Sequence, residues 1–291
     1  MDYVGKIFRP PSEARSVLLQ ISTGCSHNQC TYCDMYRQKS FRVKPWEVVE
    51  RDIEEAAQMG PLTDKLFLCD GDALILPTRR ILEVLDRVKE RMPWIRRVGV
   101  YGDTRSVGRK SVADLQKLRE AGLGIVYHGV ESGDDAVLRR IVKGGTRQEC
   151  VDAAVKLRSA GIAHSVIVLL GIGGVELSES HAAETASLLT LMDPPFVGAL
   201  TTTVLPGTPL FDLEKGGKFV LPDKFGLLRE LRTLVAQSRL TNCRFSSNHA
   251  SNYLPVRSTM PDDRDAVLGI LDQVIAKGDE RLLKPEHLRG L

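Results

Sequence analysis

The 291-residue sequence predicts an α/β fold, a partial (β/α)6 barrel with a C-terminal helical and loop extension. Three observations predict it. Between residues 17 and 203, strand-like and helix-like segments alternate six times. Helical patterns of roughly 10–15 residues between short apolar runs are the mark of crossovers between parallel strands. Six units fall short of the eight that close a barrel, so the pattern favours an open, partial one. A doubly wound parallel sheet is the alternative architecture.

Residues 17–22 read as the first strand. Residues 45–59 read as a helix, with Trp46, Val49, Ile53 and Ala56 on one face. A short buried strand at 65–69 is followed by a helix at 77–92, where Ile81, Val84, Leu85 and Val88 recur at helical spacing. The third strand is 97–101, and its helix, 111–121, is stopped by Gly122. The fourth strand, 124–130, leads into a short helix at 134–142. Thr146 and Glu149 form a capping-box pattern that opens a further helix ending near Gly161. Residues 165–170 are the fifth strand, 179–192 its helix, and 197–203 the sixth strand. Beyond Pro206, helices at 222–237 and 261–276 flank a polar loop at 244–259. The expected organisation is an N-terminal extension (1–16), a core barrel (17–215) and a C-terminal extension packing on it (216–291), with no linker, repeat or charge block between them.

Hydrophobic residues make up 43% and charged residues 26%, a globular rather than disordered composition. No run approaches the ~20 apolar residues of a membrane span. Residues 1–16 lack the apolar core of a secretory signal, so the expected location is cytoplasmic, with no membrane partner. Forty Lys and Arg against 37 Asp and Glu leave a net charge of +3, which does not call for a nucleic-acid partner. Six cysteines are too few for a disulfide scaffold. Cys69, Cys150 and Cys243 are scattered and read as small apolar residues, whereas Cys25, Cys30 and Cys33 fall within nine positions.

That triplet has the spacing C-x4-C-x2-C and lies in a loop of about twenty residues, 24–44, leaving the carboxyl end of the first strand. Long loops in compact domains are usually functional, and parallel β/α folds place their sites at that end of the strands. The C-x2-C step suits two ligands on one tight turn around a metal. The loop has no fourth cysteine, and an incomplete ligand set leaves a coordination position open. A zinc site completed by His27 is the other metal reading of the same residues.

With this triplet the sequence resembles the radical S-adenosylmethionine (SAM) superfamily. The resemblance implies a [4Fe–4S] cluster held by Cys25, Cys30 and Cys33, with SAM chelating the fourth iron. The spacing departs from the usual C-x3-C-x2-C by one residue. Tyr32 stands where the family places an aromatic residue near the adenine. Gly71 and Asp72, in Cys69-Asp70-Gly71-Asp72-Ala73-Leu74, stand in place of the commoner Gly-Gly-Glu motif that meets the SAM amino group. Asp103 follows the third strand, and Glu131, in Glu131-Ser132-Gly133, follows the fourth; the acidic group of that stretch reaches SAM polar groups. Lys143, before Gly144, is placed to face the SAM carboxylate. Gly171 and Ile172, in Leu170-Gly171-Ile172-Gly173-Gly174, resemble the adenine-side region. Leu205-Pro206-Gly207-Thr208-Pro209 is a stretch common in the barrels of coproporphyrinogen dehydrogenases and radical methylthiotransferases. Read without the resemblance, Asp72 and Glu131 are helix-terminal acids, Asp103 a turn residue, Lys143 a solvated helix end and Gly171 a strand exit.

The family's chemistry is one-electron cleavage of SAM to a radical that abstracts hydrogen, so cofactors carry the reaction and the protein supplies position and shelter. No catalytic triad or carboxylate dyad stands out, and no catalytic residue is assigned. The polar stretch 246–253 offers His249, Asn252 and Tyr253 as candidate substrate contacts in a lid. The expected partners are a small-molecule substrate and a one-electron donor such as flavodoxin or ferredoxin. An enzyme modifying RNA or a peptide, and a non-catalytic iron–sulfur or zinc protein, are the competing readings.

Overall fold

The computed structural model describes residues 1–290. In chain order its elements begin with β1 (Val17–Leu19), β2 (Ser22–Thr23), β3 (Arg42–Val43), α1 (Trp46–Gln58), β4 (Lys65–Leu68), α2 (Thr78–Arg91), β5 (Arg97–Tyr101), α3 (Thr104–Gly108), α4 (Val112–Glu120) and β6 (Leu123–Glu131). They continue with α5 (Asp135–Arg140), α6 (Arg147–Ser159), β7 (Ala163–Leu170), α7 (Gly174–Met192), β8 (Phe196–Thr201), α8 (Pro209–Lys215), α9 (Lys224–Gln237), β9 (Cys243–Ser246), β10 (Arg257–Met260) and α10 (Arg264–Lys277). No described helix is long and apolar enough to cross a membrane.

The chain packs as two compact units. The first comprises 1–28, 35–128 and 152–164; the second comprises 29–34, 129–151 and 165–291. In the first unit β1, β4, β5 and β6 pair in parallel and in sequence order. Leu66 and Leu68 of β4 and Val98 and Val100 of β5 alternate onto one face, where they meet Ile53, Ile81, Val84 and Leu85 from the helices. This is the period-two pattern of a strand against the helical stripe of a covering layer. In the second unit β7, β8 and β9 are parallel, and β10 returns antiparallel to β9. The residues on alternate positions of β7 and β8, such as Val166, Val168, Val197 and Ala199, are buried.

Four expectations are corrected. Residues 17–22 do not form one strand: β1 ends at Leu19, and Ser22–Thr23 pairs instead with Arg42–Val43, closing the neck of the cysteine loop. The helix expected at 179–192 begins at Gly174, because the glycines preceding it fall in the exit turn and the first helical turn rather than in its interior. The loop expected at 244–259 contains the edges of two strands, β9 and β10. Each has only four residues, and the alternation of buried Cys243 and Phe245 with exposed Arg244 is too short to separate from a loop by pattern. Two short helices were not expected: α3, capped by Asp103, and α8, capped by Thr208 with Pro209 in the first turn.

Candidate functional site

In the first unit the strand exits carry the acidic motif. At Asp70 the chain leaves β4 in the left-handed region (φ 74) with its carboxylate fully buried. Its Oδ2 accepts from the Gly24 amide at 2.7 Å, the Gln20 amide at 3.0 Å and Lys39 Nζ at 3.1 Å. Gly71 is required by its neighbours: a Cβ there would lie 2.7 Å from Cys25 Cβ and 2.9 Å from the Tyr36 ring. Asp72 is fully buried and accepts from Ser26 Oγ at 2.5 Å, one residue past the first cysteine of the triplet. Burial, reinforced by the nearby Asp103 carboxylate, pushes its carboxyl up to about 7. Asp103 caps α3 by accepting from the Ser106 amide at 2.7 Å, and it pairs with Arg105 at 2.6 Å.

In the second unit Cys30, Tyr32 and Cys33 share one turn, with the Cys33 amide donating to the Cys30 carbonyl at 3.3 Å. This turn is anchored by backbone on both sides: Thr31 N donates to Ile141 O at 2.9 Å, and Leu210 N donates to Thr31 O at 3.0 Å. Tyr32 OH donates to Glu131 Oε1 at 2.8 Å, and Lys143 Nζ donates to the same oxygen at 2.8 Å. Burial raises the Tyr32 hydroxyl, and Glu131 raises it further. Burial opposes the charge on Lys143, but Glu131 overcomes it and holds the ammonium well above its usual range. The Tyr32 ring packs against a buried cluster of Val137, Ile141, Ile172, Leu210 and Phe219. Ile172 therefore shares an apolar wall with Tyr32, the environment a planar base needs on its faces.

Of the five non-glycine residues with left-handed backbone among the described residues, two stand in the first unit, Asn28 in the cysteine loop and Asp70 at the exit of β4, and two of those in the second are Glu131 at the end of β6 and Val142 beside Lys143. Such residues cost ~1–3 kcal/mol each and gather where function fixes the backbone.

Sequence reading missed a buried network behind Gly171. Glu230, on α9, accepts from the Gly171 amide and from Ser178 Oγ, both at 2.6 Å. His181 Nε2 contacts the Leu169 carbonyl at 3.0 Å, and its Nδ1 contacts Ser132 Oγ at 2.8 Å, so one imidazole ties the end of β7 to the Glu131-Ser132-Gly133 turn. The signal was present: Glu230 interrupts the apolar stripe Leu227, Leu231, Leu234 of its helix.

The C-terminal stretch uses its polar groups internally. Asn252, 2% exposed, accepts from Thr201 Oγ1 at 2.8 Å and donates to the Ala199 carbonyl at 2.9 Å. Tyr253 is buried, donates to Glu286 at 2.7 Å and lies under the Arg289 guanidinium at 4.1 Å. His249 is half-buried, with Nδ1 2.9 Å from Ser251 Oγ. These residues end β8 and brace the C-terminal turn; His249 is the least committed of the three.

The residues fit an iron–sulfur cluster by their donor chemistry. All three thiols of the triplet are partly exposed, whereas Cys69, Cys150 and Cys243 are buried. Cys30 lies within electrostatic reach of Lys143, and Cys25 within reach of Arg105. Among the described residues no three His, Cys, Asp or Glu side chains converge on a single-ion site. A four-iron cluster differs in its demand, since it takes each thiolate at a separate corner.

The sequence matches the model of the radical SAM superfamily over residues 19–186. It is 27% identical over 208 residues to biotin synthase of Dechloromonas aromatica, covering 70% of this chain and 61% of that one. The chain spans about three-fifths of the length of the curated biotin synthases it matches. Among solved structures it resembles coproporphyrinogen III oxidase from Escherichia coli (TM-score 0.57, 17% identity, 77% of this chain and 54% of that one). It also resembles methylornithine synthase (TM-score 0.54, 20% identity, 77% and 63%). These likenesses identify the mostly parallel α/β architecture as that of the partial barrels. The chain belongs to the radical SAM superfamily, whose members are enzymes with a [4Fe–4S] cluster and SAM as cofactors.

Proposed function

We propose that this protein is a radical SAM enzyme acting on a small molecule in the cytoplasm, with Cys25, Cys30 and Cys33 as the cluster ligands. When bound, the cluster and SAM supply one-electron cleavage of the sulfonium to methionine and a 5′-deoxyadenosyl radical that abstracts hydrogen from substrate. The observation that carries the reading is the buried Lys143–Glu131–Tyr32 contact, which shares its turn with the last two cysteines of the triplet. A lysine and a glutamate held this close offer one group to a carboxylate and one to an ammonium, the two charges of an amino-acid moiety. Tyr32, Ile172 and Gly171 supply an apolar wall and a strand exit for the adenine. Asp72 and Asp103 supply acceptors at the exits of β4 and β5. The electron comes from a flavodoxin- or ferredoxin-type donor.

Anaerobic reconstitution tests this directly. The expected outcome is brown protein with about four irons per chain and release of 5′-deoxyadenosine that requires reductant. A colourless protein with one zinc per chain, or iron-loaded protein that releases no 5′-deoxyadenosine with any reductant, overturns it.

A further inference from the structure

The cysteine loop is one residue longer than the usual spacing, and a carboxylate outside the loop holds both of its ends. Gly24 N and Lys39 Nζ, which flank Cys25 and close the loop, both donate to Asp70 Oδ2, at 2.7 Å and 3.1 Å. The Gly71 amide donates to the Gly24 carbonyl at 3.0 Å, so both backbone groups of Gly24 are held by the exit of β4. Gly24 itself (φ 72) has no room for a side chain, since a Cβ would lie 2.5 Å from the Lys39 carbonyl oxygen. Gln20 Nε2 completes the set at 3.0 Å and joins Asp70 to the N-terminal segment through the Val4 carbonyl. Asp70 adopts this role with left-handed backbone, a conformation that costs an ordinary residue about 1 kcal/mol or more. A glycine would fill the position without that cost, so the carboxylate must supply something the fold alone does not need. The β2–β3 pairing and the Thr23 Oγ1 bond to the Ser40 carbonyl at 3.0 Å already close the loop neck. What Asp70 adds is a fixed attachment of that neck to the end of β4, beside Cys25.

We propose that Asp70 is a positioning residue for the cluster: by clamping Gly24 and Lys39 to the exit of β4, it sets Cys25 in place and keeps the lengthened loop closed around its metal. The inference rests on the reading that the loop carries the cluster. A partner that orients a ligand without touching the metal typically contributes 10–100-fold to metal affinity.

Three variants test it: Asp70→Asn keeps the shape and removes the charge, Asp70→Gly also removes the backbone strain, and Lys39→Met removes the cationic partner. In reconstituted protein, all three are expected to lose iron to a chelator about 10–100-fold faster than wild type. In the iron-free Asp70→Gly protein, the lost buried contacts to Gly24, Gln20 and Lys39 also lower stability. Trypsin and thermolysin are expected to cut its residues 26–38 faster by more than that loss of melting temperature explains. The electron-paramagnetic signal of the reduced cluster is expected to shift less on SAM addition in Asp70→Gly than in wild type. Wild-type iron retention with wild-type loop protection in Asp70→Gly and Lys39→Met overturns the clamp, as does a fall in melting temperature that accounts for every other change. If wild type itself binds no iron, the functional reading fails. Proteolysis of the iron-free proteins then still decides whether Asp70 closes the loop.

Discussion

Lys143 Nζ and the Glu131 carboxylate meet at 2.8 Å in a pocket where the two side chains are 13% and 8% exposed. Each is fixed by a strained neighbour in sequence or by its own backbone, since Val142 and Glu131 both have left-handed φ. Removing one member of a buried pair leaves the other charged and desolvated, at a cost of ~3–5 kcal/mol. Lys143→Met is therefore expected to lower the melting temperature by about 10 °C. It should also weaken SAM binding at least about tenfold, with iron content kept. Calorimetric melting and equilibrium dialysis of SAM check the two effects. Unchanged SAM affinity in a folded, iron-loaded variant would remove Lys143 from the binding site.

Gly71 offers a steric test of Cys25. An added methyl group would lie 2.7 Å from Cys25 Cβ and 2.9 Å from the Tyr36 ring. Overpacking of this kind typically costs ~1–3 kcal/mol, and here the displaced atoms belong to a proposed ligand. Gly71→Ala is expected to fold and to bind clearly less iron per chain after reconstitution. Gly269→Ala is the control: its methyl group meets nothing within 4 Å inside α10, and the substitution should raise stability by about 0.5–1 kcal/mol. Iron analysis and melting curves of the two variants side by side decide the matter.

The network behind Gly171 gives a pH dependence with a definite sign. Burial pushes Glu230 up to about 7, against the opposing pull of Ser178 Oγ and the Gly171 amide. Between pH ~4.5 and 7 the folded chain keeps a proton that the unfolded chain has released. Stability from this residue therefore falls as pH rises through that window and levels off above it. His181, the other titratable group facing Glu230, is pushed down to about 4 by burial. Its contribution rises between about 4 and 6.5 and is common to wild type and to Glu230→Gln. Urea titrations should show wild type losing about 3 kcal/mol relative to Glu230→Gln between pH 4.5 and 8. Parallel stability curves for the two proteins would contradict the buried, protonated state.

The cysteine triplet and the strand exits were legible in the sequence because a few adjacent residues encode them: thiol spacing, a glycine, an acid at the end of an apolar run. Their internal geometry was not. Tyr32 was expected near the adenine on the strength of its ring alone, and nothing local foretold that its hydroxyl joins Glu131 and Lys143, residues 99 and 111 positions away. Glu230 was marked only as a break in the apolar stripe of its helix, and neither it nor Asp70 announced its partners, because Gly171 and Gly24 lie 59 and 46 positions distant and offer backbone amides, which every non-proline residue possesses. The β9–β10 pair was lost for a different reason. Four residues give two periods of alternation, and pairing with β8 is what turns Cys243–Ser246 into a strand.

The C-terminal stretch separates into a structural and an adaptable part, and two substitutions can divide them. Asn252 spends both ends of its amide on β8, accepting from Thr201 Oγ1 and donating to the Ala199 carbonyl. Asn252→Ala would leave a buried hydroxyl and a buried carbonyl without partners, each worth ~1–3 kcal/mol. It should cost about 2–5 kcal/mol in stability, and any activity that survives should show an unchanged KM. His249 is half-buried and held only within its own turn by Ser251, so His249→Ala should shift the melting temperature little. If this stretch touches substrate, the effect belongs to His249 and appears in KM. If His249→Ala changes neither KM nor kcat, while Asn252→Ala only destabilises, the segment is a brace for the end of β8, and substrate is bound elsewhere.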